Sequence, residues 1–515
     1  MASGKVKKAS AQKAKINLIK GIVIAVILIC VCGYFVYVSG ILPKLITGIK
    51  IVETNPDGTQ TTVQNISVLE TNYHYNEILN MYTMYGMVDK DKLDSAMDSE
   101  SKKTYREYLY ETAADELMNS ALILRDLKAK GFEANSGCER YAELQEESVR
   151  ATAKTYKYNS INQYLQAMFG TGFYLSDYKS FLKSECLVVE YQNYLKQFEF
   201  TPSDQEVQDE YNKNPNEYKV ADFNYYLFSA DMDESGNITG LEDTVKSAQA
   251  AADAINSGKA FKDAVKAVLE QDKTKNEQAL VAFSDDSVDP TFVENYSHST
   301  AEYRFKEDVA NALYGADVVP GKATVVKVDN GTYVVCLKET RQDTTKNVSY
   351  RTLTLSNTAA SEEGATEADI AAGMEQTRQQ ANTIIAGLTN DSKTFVDAIN
   401  KNTSLTSEIV NGGYVSGETE DKYTGESTDE SGATVDKELG AWLFDANRQK
   451  GNTYISESAD KTTLTIYYFE SSNEAWYNSI VEKIVTDRGN EWSESVKANN
   501  PTYVINTFWV KNLQY

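Results

Sequence analysis

The sequence contains one order of predicted elements twice, and this repeat constrains the fold more than any other feature. A strand, two helices and a terminal hairpin follow one another in residues 216–342 and again in residues 346–472. In both copies a leucine precedes a glycine by eight residues, at Leu313 and at Leu443. Such periodic self-similarity predicts a duplicated domain. We therefore predict two α+β domains, each a small antiparallel sheet flanked by helices.

The first repeat ends in the predicted hairpin "GKATVVKVDNGTYVVCLKE". Asn330-Gly331 is a strong two-residue turn signal, and apolar side chains alternate along the outgoing strand at Tyr333, Val335 and Leu337. The alternation predicts one buried face of a sheet.

Residues 43–215 predict a largely helical domain that opens with a hairpin around "NPDGTQ". Ser203 followed by Glu206 has the pattern of a capping box and predicts a helix start. Residues 473–515 predict a C-terminal helix and an apolar tail. We expect that tail to dock on the helical domain, because so apolar an end is unfavourable in water.

The N-terminus combines a basic tail with an uncharged apolar run. Residues 1–20 contain lysines and no acid, and residues 21–42 are long enough for a transmembrane helix. The positive-inside bias then predicts a cytoplasmic tail and a single-pass cell-membrane protein whose bulk is extracytoplasmic. A cleaved signal peptide is the alternative, but no small-residue cleavage site follows before Pro43.

Charge and cysteine usage exclude several classes of function. The formal net charge of −24 disfavours a nucleic-acid partner. Cys138, Cys186 and Cys336 are scattered without a CxxC, so neither a zinc site nor a disulfide framework is predicted. Two isolated histidines, His74 and His298, disfavour hydrolase chemistry. No cofactor is predicted.

Two local motifs leave alternatives open. The loop "DMDESGNITGLE", residues 231–242, has oxygen-bearing residues at calcium-loop spacing, yet the segment entering it reads as a strand rather than a helix. The stretch "YHYNEILNMYTMYGM", residues 73–87, mixes tyrosines with methionines. It fits either a helix core or a surface that accepts varied unfolded segments.

The order of elements resembles the SurA/PrsA-type envelope foldases, which contain parvulin-like peptidyl-prolyl isomerase domains. The resemblance is carried by "MFGTGFYLSDYKSFLKSECLVVEYQNYL" leading into "TPSDQEVQDEYNKNPNEYKV", by "FKDAV" and "FVDAI" in the two repeats, and by "NGGYVSG" in the second. It covers roughly residues 55–500 and implies a SurA-N-like helical domain followed by two parvulin-like domains.

The resemblance also implies where a prolyl site lies. Active relatives carry two histidines, and the matching positions here are Tyr225 and Tyr333 in the first repeat and Arg351 and Thr463 in the second. Hydroxyls of Tyr225 and Tyr333 are the candidate catalytic groups, with ordinary sheet tyrosines as the alternative.

The implied function is an extracytoplasmic chaperone or foldase whose partners are unfolded or partly folded exported polypeptides. The alternatives are an active peptidyl-prolyl isomerase and an assembly protein that uses inactive parvulin modules for docking.

Overall fold

The computed structural model describes residues 40–97, 102–132, 137–285, 287–424 and 436–512. They form a mixed α+β structure with small antiparallel sheets. The helices are α1 Ile41–Leu45, α2 Val68–Met84, α3 Tyr105–Ala129, α4 Gly137–Thr155, α5 Ile161–Phe169, α6 Leu175–Tyr194, α7 Asp204–Lys213, α8 Leu241–Asn256, α9 Phe261–Leu269, α10 Glu277–Ala282, α11 His298–Phe305, α12 Glu307–Tyr314, α13 Glu367–Ala386, α14 Ser392–Asn402, α15 Thr406–Asn411, α16 Asp421–Thr424, α17 Lys437–Leu443, α18 Ala475–Val496 and α19 Thr507–Asn512. The strands are β1 Thr47–Thr54, β2 Gln60–Ser67, β3 Lys219–Ser229, β4 Asp231–Met232, β5 Ile238–Thr239, β6 Phe292–Ser297, β7 Ala323–Val328, β8 Gly331–Gln342, β9 Lys346–Ser356, β10 Tyr414–Thr419, β11 Thr453–Glu457, β12 Thr463–Glu474 and β13 Pro501–Ile505.

One three-stranded sheet joins the two ends of the described chain. Its order is β13-β1-β2, and Ile49 of β1 lies opposite Ile505 of β13. The β1–β2 hairpin turns at Asp57-Gly58, as the sequence predicts. Ile49 and Ile51 are fully buried between this sheet and α3. We call this sheet with α1–α6, α18 and α19 the helical unit.

Helix starts in this part of the chain follow the capping patterns of the sequence. Ser67 accepts a hydrogen bond from the Glu70 N–H at the start of α2. At the start of α7, Ser203 and Glu206 form the predicted capping box, with each side chain bonded to the other's backbone N–H. Each cap satisfies backbone donors that a helix N-terminus otherwise leaves open.

The two repeats contain four-stranded sheets of the same topology. The orders are β6-β3-β8-β7 and β10-β9-β12-β11, and every neighbouring pair is antiparallel. In each sheet the last long strand lies beside the first. Helices cover both faces, with α8 and α9 on one face of the first sheet and α11 and α12 on the other.

The correspondence extends to single residues. The Gly321 N–H donates to the Leu337 carbonyl at 2.7 Å, and the Gly451 N–H donates to the Phe469 carbonyl at 3.0 Å. Both glycines have positive φ, which an L side chain rarely adopts. The leucine-to-glycine spacing therefore marks the same turn in both repeats, and the two sheets share one topology.

The helical unit packs on the second repeat through an apolar core. α4 contacts α14 and α15, and α6 contacts α15. Two side-chain amides seal the edge, because Asn193 donates to the Val410 carbonyl at 2.6 Å and Gln197 donates to the Asn411 carbonyl at 2.9 Å. The second repeat is thereby fixed against the helical unit.

The predicted fold class is wrong in its transmembrane helix. Among the described residues, no helix is long and apolar enough to cross a membrane. The last residues of the predicted span belong to the folded part instead: Gly40 has φ +67° and lies against the Gly172 backbone, and α1 is only five residues long. Leu42 packs into the core beside α2. Residues 1–39, including most of the predicted span, lie outside the described residues.

The β1–β13 pairing yields a stability prediction. Ile51→Ala removes a fully buried side chain and should lower the local stability of this sheet by about 2–4 kcal/mol. Val504→Ala on β13, where the side chain is 62% exposed, should change it by less than about 0.5 kcal/mol. Amide hydrogen exchange in β1 measures the difference. Equal exchange in the two variants would contradict the assigned register.

Candidate functional site

The C-terminal end of α2 exposes a group of apolar side chains. Met81, Met84, Tyr85 and Met87 have exposed fractions of 44%, 74%, 67% and 63%. We call these four residues the methionine patch. The helix ends at Met84, and Gly86, with φ +69°, turns the chain away.

The first half of the same helix is buried, so the sequence stretch 73–87 divides into two parts. Tyr75 stacks on Tyr110 with ring centroids 4.1 Å apart, and Tyr73 stacks on Phe173 at 5.7 Å. The core interpretation is confirmed for the two tyrosines. The methionines, in contrast, are exposed, which is the arrangement that the surface interpretation predicts.

Further exposed apolar side chains lie on the two short helices that contact α2. Leu45 on α1 and Phe508 on α19 are both more than half exposed. Single exposed apolar residues are ordinary on a soluble protein. These two lie toward the start of α2, where the Val68 N–H donates to the Ile46 carbonyl, so they are separate from the methionine patch. A contiguous group such as the patch is more typical of a binding surface.

Tyr225 and Tyr333 lie together on one face of the first repeat's sheet. They sit on neighbouring strands, β3 and β8, with ring centroids 6.5 Å apart. Within the described part of the chain neither hydroxyl has a hydrogen-bond partner. The Arg304 guanidinium lies at the rim, donates to the Tyr296 hydroxyl at 2.7 Å, and interacts electrostatically with both hydroxyls.

Phe305 fills the space against these two rings. Its centroid is 4.8 Å from that of Tyr225 and 5.7 Å from that of Tyr333, and the residue is buried. Burial raises the pKa of Tyr333, so its hydroxyl is neutral at ordinary pH. The Tyr333 hydroxyl therefore lies beside a filled aromatic cluster.

Arg351 and Thr463 are not brought together in the second repeat. Arg351 lies opposite Tyr468, whereas Thr463 lies opposite Ser356 at the far end of β9. By strand register, the counterparts of Tyr225 and Tyr333 are Thr352 and Thr465. The position counted from the sequence, Arg351, is therefore one residue away from the true counterpart. Successive side chains point to opposite faces of a strand, so Arg351 lies on the other face of the sheet.

Arg351 instead forms a buried link between the second repeat and the helical unit. It pairs with Glu470 and donates to the Gln197 side chain at 3.0 Å and to the Gly412 carbonyl at 2.8 Å. The guanidinium also lies over the ring of Tyr414 at 5.0 Å. All five guanidinium N–H groups of an arginine require acceptors when buried, which accounts for this set of partners.

A β-bulge positions the Glu470 carboxylate. Pairing between β9 and β12 skips Glu470, and pairing between β3 and β8 skips Lys338 at the matching place. Lys338 lies over the Phe292 ring at 3.7 Å. The same bulge therefore carries opposite charges in the two repeats.

A cavity of about 240 Å³ lies beside Arg351, between α6 with its π-helical extension Leu195–Glu199 and helices α14 and α15. Its apolar walls include Tyr194, Phe198 and Ile409. The Lys393 ammonium lies 5.6 Å from the centroids of both aromatic rings. The cavity combines apolar surface with the Lys393 ammonium and the carboxylates of Glu190 and Asp397.

Sequence reasoning missed a titratable cluster between α2 and α6. The His74 Nε2 lies 3.7 Å from a carboxylate oxygen of Glu185. Burial lowers the pKa of His74 to about 4 and raises that of Glu185 to about 8 and that of Glu70 to about 7. Glu70 and His74 at i, i+4 on a helix that also carries buried tyrosines were the available signal.

The two other motifs take local structural roles. Residues 231–242 form the small β4–β5 hairpin, in which Asp233 accepts the backbone N–H groups of Ser235 and Asn237. Asp231 accepts from Lys275 at 2.6 Å. This is a strand hairpin rather than the helix–loop–helix of an EF-hand. His298 is the first residue of α11.

The chain matches no protein-family model and no curated protein. The arrangement of side chains is therefore the basis for a functional proposal.

The cluster around Glu185 yields a prediction on pH. In the folded protein Glu185 keeps its proton up to about pH 8, whereas the unfolded chain loses it near the ordinary pKa of 4.5. Between these values the unfolded state binds fewer protons, so this group lowers stability as pH rises. Glu185→Gln should therefore stabilise the protein near pH 8 and change its stability by almost nothing near pH 4.5. Partial exposure screens the charge, so we expect a stabilisation near pH 8 of only about 1 kcal/mol.

Thermal unfolding at both pH values measures the effect of Glu185→Gln, with Glu147→Gln on the exposed surface of α4 as the matched control. A stabilisation of equal size at both pH values would contradict the assigned ionisation.

Proposed function

We propose that the protein is a chaperone or foldase that binds unfolded or partly folded polypeptides, with the methionine patch as a principal contact. The observation that carries this proposal is the exposure of four large apolar side chains at one helix end. The first half of the same helix buries its tyrosines in the core. The methionines that follow are not part of that core.

Methionine suits a surface that must accept many different sequences. Its unbranched side chain adapts its shape, and its thioether is polarisable, so it contacts aliphatic and aromatic groups alike. Surfaces that bind varied partners use such flexible residues because they repack around each ligand. Tyr85 adds an amphipathic ring, which is favourable at a partly hydrated interface.

The cavity between the helical unit and the second repeat supports the same function. At about 240 Å³ it accommodates one or two apolar side chains of a client rather than a large cofactor. Lys393 at its edge favours a nearby backbone carbonyl or carboxylate of the bound segment.

The overall charge favours polypeptide partners that are basic. A net charge of −24 attracts basic segments and keeps a client complex soluble. It also disfavours nonspecific contact with acidic polymers. The partners that fit are therefore unfolded segments with apolar residues and net positive charge. An extracytoplasmic location for this activity stays a prediction from residues 1–42.

The proposal is tested by aggregation of an unfolded client. The triple variant Met81→Gln, Met84→Gln, Met87→Gln keeps side-chain length and helix propensity but makes the surface polar. It should suppress aggregation at least about threefold less well than the natural chain at near-stoichiometric ratios, since loss of a few apolar contacts costs about 1 kcal/mol or more in affinity. Light scattering measures the suppression.

Met232→Gln is the matched control, because Met232 is 74% exposed but lies on the β4–β5 hairpin of the first repeat. It should suppress aggregation as the natural chain does. Equal suppression by the triple variant would remove the methionine patch from the proposal, and no suppression by the natural chain with several clients would overturn the function itself.

Prolyl isomerisation in the first repeat is the second candidate, favoured by the proximity of the Tyr225 and Tyr333 hydroxyls. Phe305 occupies the space against both rings, so we expect a protease-coupled proline-peptide assay to give a rate equal to that of buffer. A measurable rate that falls about tenfold or more in Tyr333→Phe, which keeps the ring and removes the hydroxyl, would establish the isomerase instead.

A further inference from the structure

Two cysteines far apart in sequence meet inside the protein. Cys138 lies in the first turn of α4, and Cys186 lies in the middle of α6. Both are buried, as is Glu190, one turn further along α6. The Cys138 thiol donates to a Glu190 carboxylate oxygen at 3.3 Å. The two sulfurs and this carboxylate lie within 4.8 Å of one another.

Helix geometry explains how these three side chains converge. Residues four apart project from the same face of a helix, so Cys186 and Glu190 face α4 together. α4 packs directly on α6, which brings Cys138 to them. Apolar residues of the second repeat, among them Leu353 and Ile399, complete the surroundings.

We propose that Cys138, Cys186 and Glu190 form a binding site for a thiolate-preferring divalent cation, with Zn²⁺ as the representative ion. Two sulfurs and one carboxylate are a donor set that Zn²⁺ accepts in tetrahedral geometry. A tetrahedral ion with bonds of about 2.3 Å holds its ligands about 3.8 Å apart, so the donors need only small movements. Glu190 also lines the cavity beside Arg351, which gives the ion a route inward and room for a fourth ligand such as water.

Binding exchanges protons for the metal. Each thiol forms a sulfur–metal bond and releases one proton to solvent, so two protons leave for each ion bound, and no electron is transferred. Affinity therefore increases as pH rises.

The site has a structural consequence at the contact between units. An ion there joins α4 to α6 behind the surface that packs on α14 and α15. Because the ion binds only the folded arrangement, it stabilises that contact in proportion to its concentration. This consequence is independent of the proposed chaperone function.

The test uses the full chain, reduced and freed of metal, titrated with Co²⁺ and then Zn²⁺. We expect one Co²⁺ per chain, a thiolate-to-cobalt charge-transfer absorption in the near ultraviolet, and displacement by Zn²⁺. The affinity should fall at least about 100-fold in Cys138→Ser and in Cys186→Ser and about tenfold in Glu190→Gln. Cys336→Ser, which removes a buried thiol in the first repeat, should leave binding unchanged.

A second measurement covers the case in which a variant does not fold. In the natural chain, Zn²⁺ should slow alkylation of Cys138 and Cys186 in mild denaturant, as mapped by mass spectrometry, and leave Cys336 unaffected. Absence of the charge-transfer band, binding that persists in the double Cys138→Ser, Cys186→Ser variant, or recovery of the two cysteines as a disulfide from protein purified without reductant would each overturn the proposal.

Discussion

The pairing of β1 with β13 is the interaction on which the arrangement of the whole chain depends. It places residues from opposite ends of the described chain in one sheet, with Ile49 beside Ile505, and buries them against α3. Closing so long a loop costs entropy, although that cost grows only slowly with length. Burial of the sheet's apolar face offsets it. Because both ends are held in this sheet, the two repeats form one long insertion in the helical unit. α18 then packs along α7, where Lys483 pairs with Glu210.

Local patterns predicted much of this fold, but strand register required the structure. Turn chemistry at Asp57-Gly58 predicted one hairpin, since that dipeptide favours the backbone that the turn needs. The other predicted turn, Asn330-Gly331, was one residue out, because Val328 pairs with Gly331 and the turn is Asp329-Asn330. The bulges at Lys338 and Glu470 have no such signal. Each inserts one unpaired residue into the last long strand of its sheet, and the matching bulges align Tyr225 with Thr352 and Tyr333 with Thr465. The positions counted from the sequence without this alignment, Arg351 and Thr463, were therefore one and two residues out.

The candidate sites were less predictable than the fold, because each depends on contacts between distant segments. Tyr73 and Tyr75 of α2 are buried because Phe173 and Tyr110 from other helices cover them, whereas in the described part of the chain the methionines that follow remain exposed. The amino-acid composition of this stretch does not distinguish the buried tyrosines from the exposed methionines. Cys138 and Cys186 show the same limit: their separation in sequence has no metal-binding spacing, and only the packing of α4 on α6 brings the thiols together.

The two repeats share a fold but differ in how they meet the rest of the molecule, and this difference supports a division of work. The second repeat contributes to one apolar core with α4 and α6, and the buried Arg351–Glu470 pair reaches across to Gln197. A buried ion pair adds little net stability, because desolvation opposes the Coulomb attraction, but its geometric demands favour a single orientation. The first repeat meets α18 and α7 through a small apolar cluster that buries Tyr218, Val207 and Ile480, and beside it lies a cleft of about 340 Å³ that includes Glu217 and Asp343. This apolar cluster is smaller than the core that the second repeat shares with α4 and α6. For the proposed chaperone function, this difference makes the second repeat and the helical unit the fixed surface and the first repeat the less constrained one.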